Sequence, residues 1–400
     1  MRDFDPDSPE TAGPRILRLI PWLDYARDLG ATGLILNPVF HSATHGYDTL
    51  DHFRFDPRLG TEEDFERFLA AASDHGLAVL LDGVFNHVHR HHPLVQEGLA
   101  RGGWEGHTDI PVLDHAIPRV RDLVTEVMLH WLRRGIAGWR LDVAHEVPHD
   151  FWREVIGRVR AEFPEALFLG EIIHGDYLAL ARESDIDTVT QYELWGAIRG
   201  SITDANPFYL SHALERHAAY SRELTGQTFV GNHDVTRPAS LLGDDGAALA
   251  AVILLTLPGS PSVYYGDEQA FRGLKGEHWY PDDDLRPVLP ESPGHLAGFG
   301  WWMHRLHQRL ITLRRDHPWI ATGVLEVTEC EGTRIAYEVR PAVGEGDTTH
   351  GHGRTPAGTP PQGEPDGAHV LRVEADLGTQ PAAVVRVNGT DALSFRAGQR

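Results

Sequence analysis

Seven side chains in this 400-residue sequence fall where short apolar runs turn polar: Asp82, Asn86, Arg140, Asp142, Glu171, His233 and Asp234. In "GWRLDV" (138–143) the arginine and the aspartate alternate, and a side-chain period of two places both on one side of a strand. A glutamate crowded by two aspartates in a semi-enclosed cleft has its pKa raised by like charge and desolvation and becomes a proton donor; an aspartate beside an arginine stays ionised and can attack. The reading therefore expects Glu171 as the acid and Asp142 as the nucleophile. Such a pair is the equipment of a retaining glycosidase, whose two carboxyl groups stand about 5 to 5.5 Å apart across the scissile bond.

The elements that must hold these groups alternate along the first two thirds of the chain. Strands are expected at 32–40, 77–85, 138–143, 167–172, 187–193, 228–232 and 262–268, with amphipathic helices between them, among them 15–30, 63–76, 119–135 and 151–163. This alternation suggests a (β/α) barrel, with a doubly wound open sheet as the rival that strand counting leaves open. In a parallel barrel, function gathers at the C-terminal strand ends, where the seven side chains lie.

After 320 the pattern changes. Residues 324–340, 368–378 and 383–397 are alternating or β-rich and predict a small antiparallel β domain. The intervening 341–368, dense in Gly, Pro and Thr, reads as a flexible insertion. The expected organisation is a catalytic domain over 1–320, with a very short loop domain at 88–115, and a C-terminal domain over 321–400.

A net charge of −22 with no compensating basic stripe argues against nucleic acid or an anionic membrane surface as partner and favours neutral substrates. The single cysteine, Cys330, leaves no intramolecular disulfide, and with no secretory leader read at the start the expected address is cytoplasmic. No apolar stretch is read as reaching the roughly 20 residues of a spanning helix.

Four ordered motifs, "DGVFNH" (82–87), "GWRLDVAHE" (138–146), "GEI" (170–172) and "FVGNHD" (229–234), carry a resemblance over roughly residues 14–320 to the α-amylase family of glycoside hydrolases. The flanks "HGYDTLDHFRFDPRLGTEEDF" (45–65), "DIPVLDH" (109–115) and "LPGSPSVYYGDE" (257–268) support it, and the chain is most similar to cyclomaltodextrinase, neopullulanase and oligosaccharide α-glucosidase members. The resemblance implies a (β/α)8 TIM-type barrel followed by a β-sandwich. It implies Asp142 as nucleophile, Glu171 as general acid/base and Asp234 as a third carboxylate gripping sugar hydroxyls. Arg140 would orient Asp142, His87 and His233 would donate hydrogen bonds to the first-subsite sugar, and Tyr47 would stack beneath it beside Asp48. Arg237 is expected to pair with Asp48 and close that subsite, and Arg286 in the acidic loop 281–287 to reach substrate.

Asn86 matches a position that binds structural calcium in many relatives, but calcium takes about six to eight oxygen ligands, and the shortened loop shows few. No cofactor or metal is assigned, and His89, His91 and His92 read as loop histidines. The segment before the first helix, "MRDFDPDSPETAGP", is acidic and proline-bearing, a poor central strand. The barrel is therefore expected to lack its first strand in this chain, whose start would be internal to a longer one. The expected function is retaining hydrolysis of α-1,4 glucosidic bonds, with α-1,6 as a second linkage, in maltooligosaccharides or related α-glucans. Glucosyl transfer or disaccharide isomerisation, and an inactive carbohydrate-binding member, are the alternatives.

Overall fold

A computed structural model describes residues 14–276, 282–342 and 369–399. They form two compact units, one of the described residues up to Thr190 with Pro287–Ala297, the other of Gln191–Arg286 with those from Gly298 onward.

The first unit is built on a parallel sheet of order β1-β4-β7-β8-β9: β1 (Gly33–Leu36), β4 (Ala78–Gly83), β7 (Gly138–Leu141), β8 (Leu167–Gly170) and β9 (Thr188–Val189). Two antiparallel pairs, β2 (Phe40–Ser42) with β3 (Thr49–Phe55) and β5 (Ala100–Arg101) with β6 (Val112–Leu113), occupy connections between its strands. The helices are α1 (Leu23–Leu29), α2 (Glu62–Asp74), α3 (Pro93–Gln96), α4 (Pro118–Arg133), α5 (His149–Arg160) and α6 (Tyr177–Ser184). Their ends follow local chemistry. A capping box of Thr61 and Asp64 starts α2, Pro118 opens α4, and Gly30, at φ 104°, stops α1. The stretch 15–30, expected as one helix, is a 3-10 helix over Arg15–Trp22 and only then α-helical, because Pro21 denies the α-helical ladder a donor.

Trp139, Phe85 and Phe40 of the sheet side pack with Trp131 and Phe65 of the helices, ring centroids 5.5 to 6.3 Å apart. Under this aromatic core runs a chain of buried histidines. Leu94 N–H donates to His92 Nδ1 (3.2 Å), so His92 Nε2–H donates to His52 Nδ1 (3.2 Å), and His52 Nε2–H donates to the Val84 carbonyl (3.1 Å). Every nitrogen is used with both rings neutral. Burial accordingly lowers His52 to about 4 and His92 to about 3.

In the unfolded chain both would take a proton near 6.5, so the unfolded state binds more protons below that pH, and stability falls as pH drops from 6.5 through about 4. The expected loss is about 3 kcal/mol from His52 alone. Urea unfolding at pH 7 and pH 4.5 should show it, and the pH difference should shrink in His52→Gln/His92→Gln; an equal difference in that variant refutes the assignment.

The second unit carries a short parallel pair, β10 (Gln227–Thr228) with β11 (Ser260–Pro261), and an antiparallel sheet β12 (Val324–Glu331), β13 (Arg334–Arg340), β14 (Leu371–Asp376), β15 (Ala382–Val387) and β16 (Thr390–Arg396) in sequential order. Its helices are α7 (Tyr192–Thr203), α8 (Pro207–Ser221), α9 (Pro238–Thr256) and α10 (Trp301–Asp316). One core joins them: Leu210, Leu214, Val252, Ile253, Met303 and Leu310 of the helices pack with Ile335, Tyr337, Val373, Val385 and Phe395 of the sheet. The Tyr337 hydroxyl meets Thr256 Oγ1 at 2.6 Å. Where the sequence suggests a sandwich, the described residues give a single sheet whose inner face is covered by helices.

Three further readings are corrected. The strand expected at 262–268 lies earlier, at Ser260–Pro261, because Gly266 at φ 89° turns the chain into a 3-10 helix over Asp267–Gln269. The strand expected at 187–193 is confined to Thr188–Val189, since α7 begins at Tyr192. Helix α9 is 19 residues long with mean hydropathy 1.5, enough by length and composition to cross a bilayer, although 67% of its apolar window is buried within the protein and Gly243 interrupts it. On the expected missing first strand, no strand precedes β1 among the described residues, and residues 1–13 lie outside them, as does most of the proposed insertion, 343–368.

Candidate active site

The parallel register aligns Asp82 of β4 with Arg140 of β7, and Leu141 with Gly170 of β8. The ladder runs one residue further, Asp142 N–H donating to the Gly83 carbonyl at 3.1 Å and Glu171 N–H to the Leu141 carbonyl at 3.0 Å. Three strand ends therefore deliver three carboxylates and one guanidinium to one place. Arg140 Nη1 donates to both oxygens of Asp82 (2.7 and 2.6 Å) and to Asp142 Oδ1 (2.9 Å), while Nη2 stands 2.7 Å from Glu171 Oε1. All four residues are buried.

Directly after the strand, Val143 turns into the left-handed region at φ 48°, a strained conformation for a β-branched residue. The turn points its N–H at Glu171 Oε2, 3.1 Å away. Both oxygens of Glu171 are thus held by donors. Asp142 Oδ2, by contrast, is buried with no hydrogen-bond partner among the described residues.

One guanidinium cannot neutralise three buried carboxylates. Burial pushes Asp82 up to about 6 and Asp142 well above the ordinary carboxylate range, against the pull of Arg140 and with the added repulsion of their acidic neighbours. Arg140, which burial alone would lower, is held well above its usual value by Asp82, Glu171, Tyr47 and Asp142. Desolvation thus works against a charge on Asp142, and the shared Arg140 guanidinium works for it.

Asp82 itself, seen in the sequence as a strand-end residue without a role, anchors Arg140 and accepts from the Tyr47 hydroxyl at 2.9 Å. Its register opposite Arg140 was the available signal. His87 differs from expectation: its Nε2–H donates to the Tyr47 carbonyl (3.0 Å), so that donor is spent on the main chain of the stacking residue. Burial lowers His87 to about 4 and keeps it neutral. Asp48 is buried, accepting from Thr44 N–H (3.0 Å) and Thr44 Oγ1 (2.7 Å), which closes the turn carrying Tyr47. Asn86, in the calcium position, is buried with Nδ2 beside His87 Nδ1, and among the described residues no group of three or more His, Cys, Asp or Glu side chains gathers to hold a metal ion, so the residues described around it do not fit calcium.

In the second unit, β10 leads to His233 and Asp234. Asn232 fixes this turn, accepting from Asp234 N–H and donating to the Tyr192 hydroxyl, both at 2.9 Å. His233 Nε2 lies 3.2 Å from Asp234 Oδ2, and Arg286 Nη2 lies 3.3 Å from Asp234 Oδ1 and 3.2 Å from Asp282 Oδ2. The pairing expected between Arg237 and Asp48 is replaced by another. Arg237 is fully buried, bonding Asp267 Oδ1 (2.8 Å), the Tyr265 carbonyl (2.9 Å) and the Leu285 carbonyl (2.7 Å), with its guanidinium 4.4 Å from the Tyr264 ring centroid. Those bonds occupy its donors inside the unit, so it acts as a structural arginine.

The family described as "Alpha amylase, catalytic domain" matches residues 18–102 and 104–297. The chain belongs to the α-amylase family. A maltogenic α-amylase of Bacillus acidopullulyticus is 31% identical over 358 residues, 79% of this chain and 58% of that protein. A cyclomaltodextrinase of Geobacillus thermopakistaniensis is 32% identical over 67% of this chain and 51% of its own length. This α-amylase-family chain thus spans little more than half the length of these curated relatives. Among solved structures, the debranching enzyme of Nostoc punctiforme is 27% identical with a TM-score of 0.75, covering 92% of this chain and 79% of that one. The fold class is that of TIM-barrel amylases with a C-terminal β domain.

Proposed function

We propose that this protein is a retaining glycoside hydrolase acting on α-1,4 glucosidic bonds of maltooligosaccharides or related α-glucans, with α-1,6 bonds as a second linkage. The observation that carries the reading is the single Arg140 guanidinium spanning Asp142 on one nitrogen and Glu171 on the other, with Asp142 Oδ2 left unbonded. Two carboxyl groups held within the reach of one guanidinium suit the short separation of a nucleophile and an acid/base rather than the wider one that admits a water between them.

In the first step Glu171 gives its proton to the glycosidic oxygen, the C–O bond breaks, and Asp142 Oδ2 bonds to the anomeric carbon. In the second, Glu171 takes a proton from water, which displaces Asp142 and restores the original configuration. Tyr47, its hydroxyl tied to Asp82, offers an aromatic face to the sugar. Asp234 and His233, in their family positions, bind sugar hydroxyls. Carboxyl groups and water carry both steps, so the proposal needs no cofactor. With one cysteine and an acidic surface, a cytoplasmic address and a neutral glucan partner, without nucleic acid or membrane, fit the same reading.

An inactive binding member is disfavoured, because three buried carboxylates around one cation cost stability without serving a packing need. The test is a panel of maltotriose, a cyclomaltodextrin and an α-1,6-linked trisaccharide followed by proton NMR. The α-anomer should appear first on the freed reducing end. Products larger than the substrate would assign transfer instead of hydrolysis, and first appearance of the β-anomer, or no turnover of any α-glucoside, would overturn the reading.

A further inference from the structure

We propose that Trp104, in the short loop between β5 and β6, is a positioning residue: it clamps the His87 ring that holds the main chain of Tyr47. The inference rests on the function proposed above for the purpose of the clamp, while the clamp itself is visible in the first unit. The Trp104 and His87 rings lie face to face, centroids 4.7 Å apart and planes 10° from parallel. From His87 the path is continuous: Nε2–H to the Tyr47 carbonyl at 3.0 Å, the Tyr47 hydroxyl to Asp82 Oδ2 at 2.9 Å, Asp82 to Arg140 at 2.6 Å, and Arg140 to Asp142 at 2.9 Å.

The loop is shaped to present this indole. Residues 86–88 pair with 111–113 through Leu113 N–H to the Asn86 carbonyl (2.9 Å) and Val88 N–H to the Pro111 carbonyl (3.0 Å), which folds the intervening chain back over His87. Trp104 N–H donates to the Ile110 carbonyl (3.0 Å) and its carbonyl accepts from His107 (2.8 Å). Gly102, Glu105 and Gly106 adopt the left-handed region around it, at φ 69°, 48° and 82°. A Cβ on Gly103 would stand 2.5 Å from the His107 carbonyl oxygen, so only glycine permits the close return. A loop with no function beyond connection has little reason to spend three left-handed residues fixing one half-buried tryptophan.

A planar ring on a planar ring restrains rotation as well as covering it, and a fixed imidazole keeps its one N–H on the Tyr47 carbonyl. Asp48, which favours a charged His87, and His45 and His52, which oppose it, are the other groups its charge feels.

The test compares Trp104→Ala and Trp104→Phe in the full chain, with two readouts. On maltotriose, Trp104→Ala should lower kcat/KM about tenfold and Trp104→Phe should return it to within about twofold of wild type, the range an aromatic pair contributes. In histidine-labelled protein, with the His87 signal assigned by its loss in His87→Gln, nitrogen NMR should show the His87 pKa moving upward from about 4 in Trp104→Ala and remaining low in Trp104→Phe. The second readout needs no turnover, so an inactive wild type would sink the proposed function while leaving the clamp to be judged by NMR. If Trp104→Ala does not fold, Trp104→Leu, which keeps cover but no planar face, should still lose kcat/KM. Wild-type kcat/KM in a folded Ala or Leu variant, an unmoved His87 titration in Trp104→Ala, or a Phe variant as impaired as Ala would overturn the proposal.

Discussion

Replacing Asp142 by asparagine is expected to reduce turnover of maltotriose by at least about 10⁴-fold, the scale seen when one member of a covalent catalytic group is removed. The fold should survive. Asparagine keeps the shape and can still accept from Arg140, while it removes a charge that burial already opposes. Thermal unfolding of the variant should therefore occur at or above the wild-type temperature, a combination typical of a residue kept for chemistry at the expense of stability. Residual activity near wild type would remove Asp142 from the mechanism; loss of activity with collapse of the fold would reassign it to structure.

Arg140→Ala is expected to strike both stability and activity. Its guanidinium is the shared counter-charge of Asp82, Asp142 and Glu171, and removing one partner of a buried ionic group costs about 3 to 5 kcal/mol. The pH sign follows from the carboxylates. Asp82 and Asp142 already have raised folded-state pKa values, Asp82 to about 6, and losing the cation raises both further, so the folded variant holds protons that the unfolded chain releases above pH 4. Its stability deficit should thus grow as pH rises from 5 to 8. Urea unfolding at the two values checks this; a pH-independent deficit below about 1 kcal/mol would show the cluster to be solvated rather than buried. Arg140→Lys should recover only part of the loss, because a point charge cannot serve three carboxylates from two fixed nitrogens.

The strand-end rule located the chemistry in the sequence because it depends only on period-two geometry and parallel register, both of which Asp82, Arg140, Asp142 and Glu171 obey. What was not legible depends on long-range partners. Nothing near Arg237 in the sequence announces that Asp267, thirty residues on, takes its guanidinium, nor that Tyr264 and Tyr265, read as strand, turn instead to stack against it. The three left-handed residues beside Trp104 could be suspected at two glycines and not at Glu105. The sharing of one counter-charge within the carboxylate cluster is hidden from the sequence for a related reason. Sequence spacing says which charges are neighbours, but only the structure shows that one guanidinium is divided among three and that Asp142 Oδ2 receives no donor.

The central claim, that Asp142 Oδ2 attacks an anomeric carbon, is tested most directly by trapping. A fluorinated α-glucosyl fluoride that forms the glycosyl-enzyme faster than it is hydrolysed should add one glycosyl unit to the intact protein mass. Fragmentation of the proteolytic peptide that spans "AGWRLDVAHE" should place the label on Asp142. A label on any other residue, or steady release of product without a covalent adduct and with inverted configuration, would contradict the account.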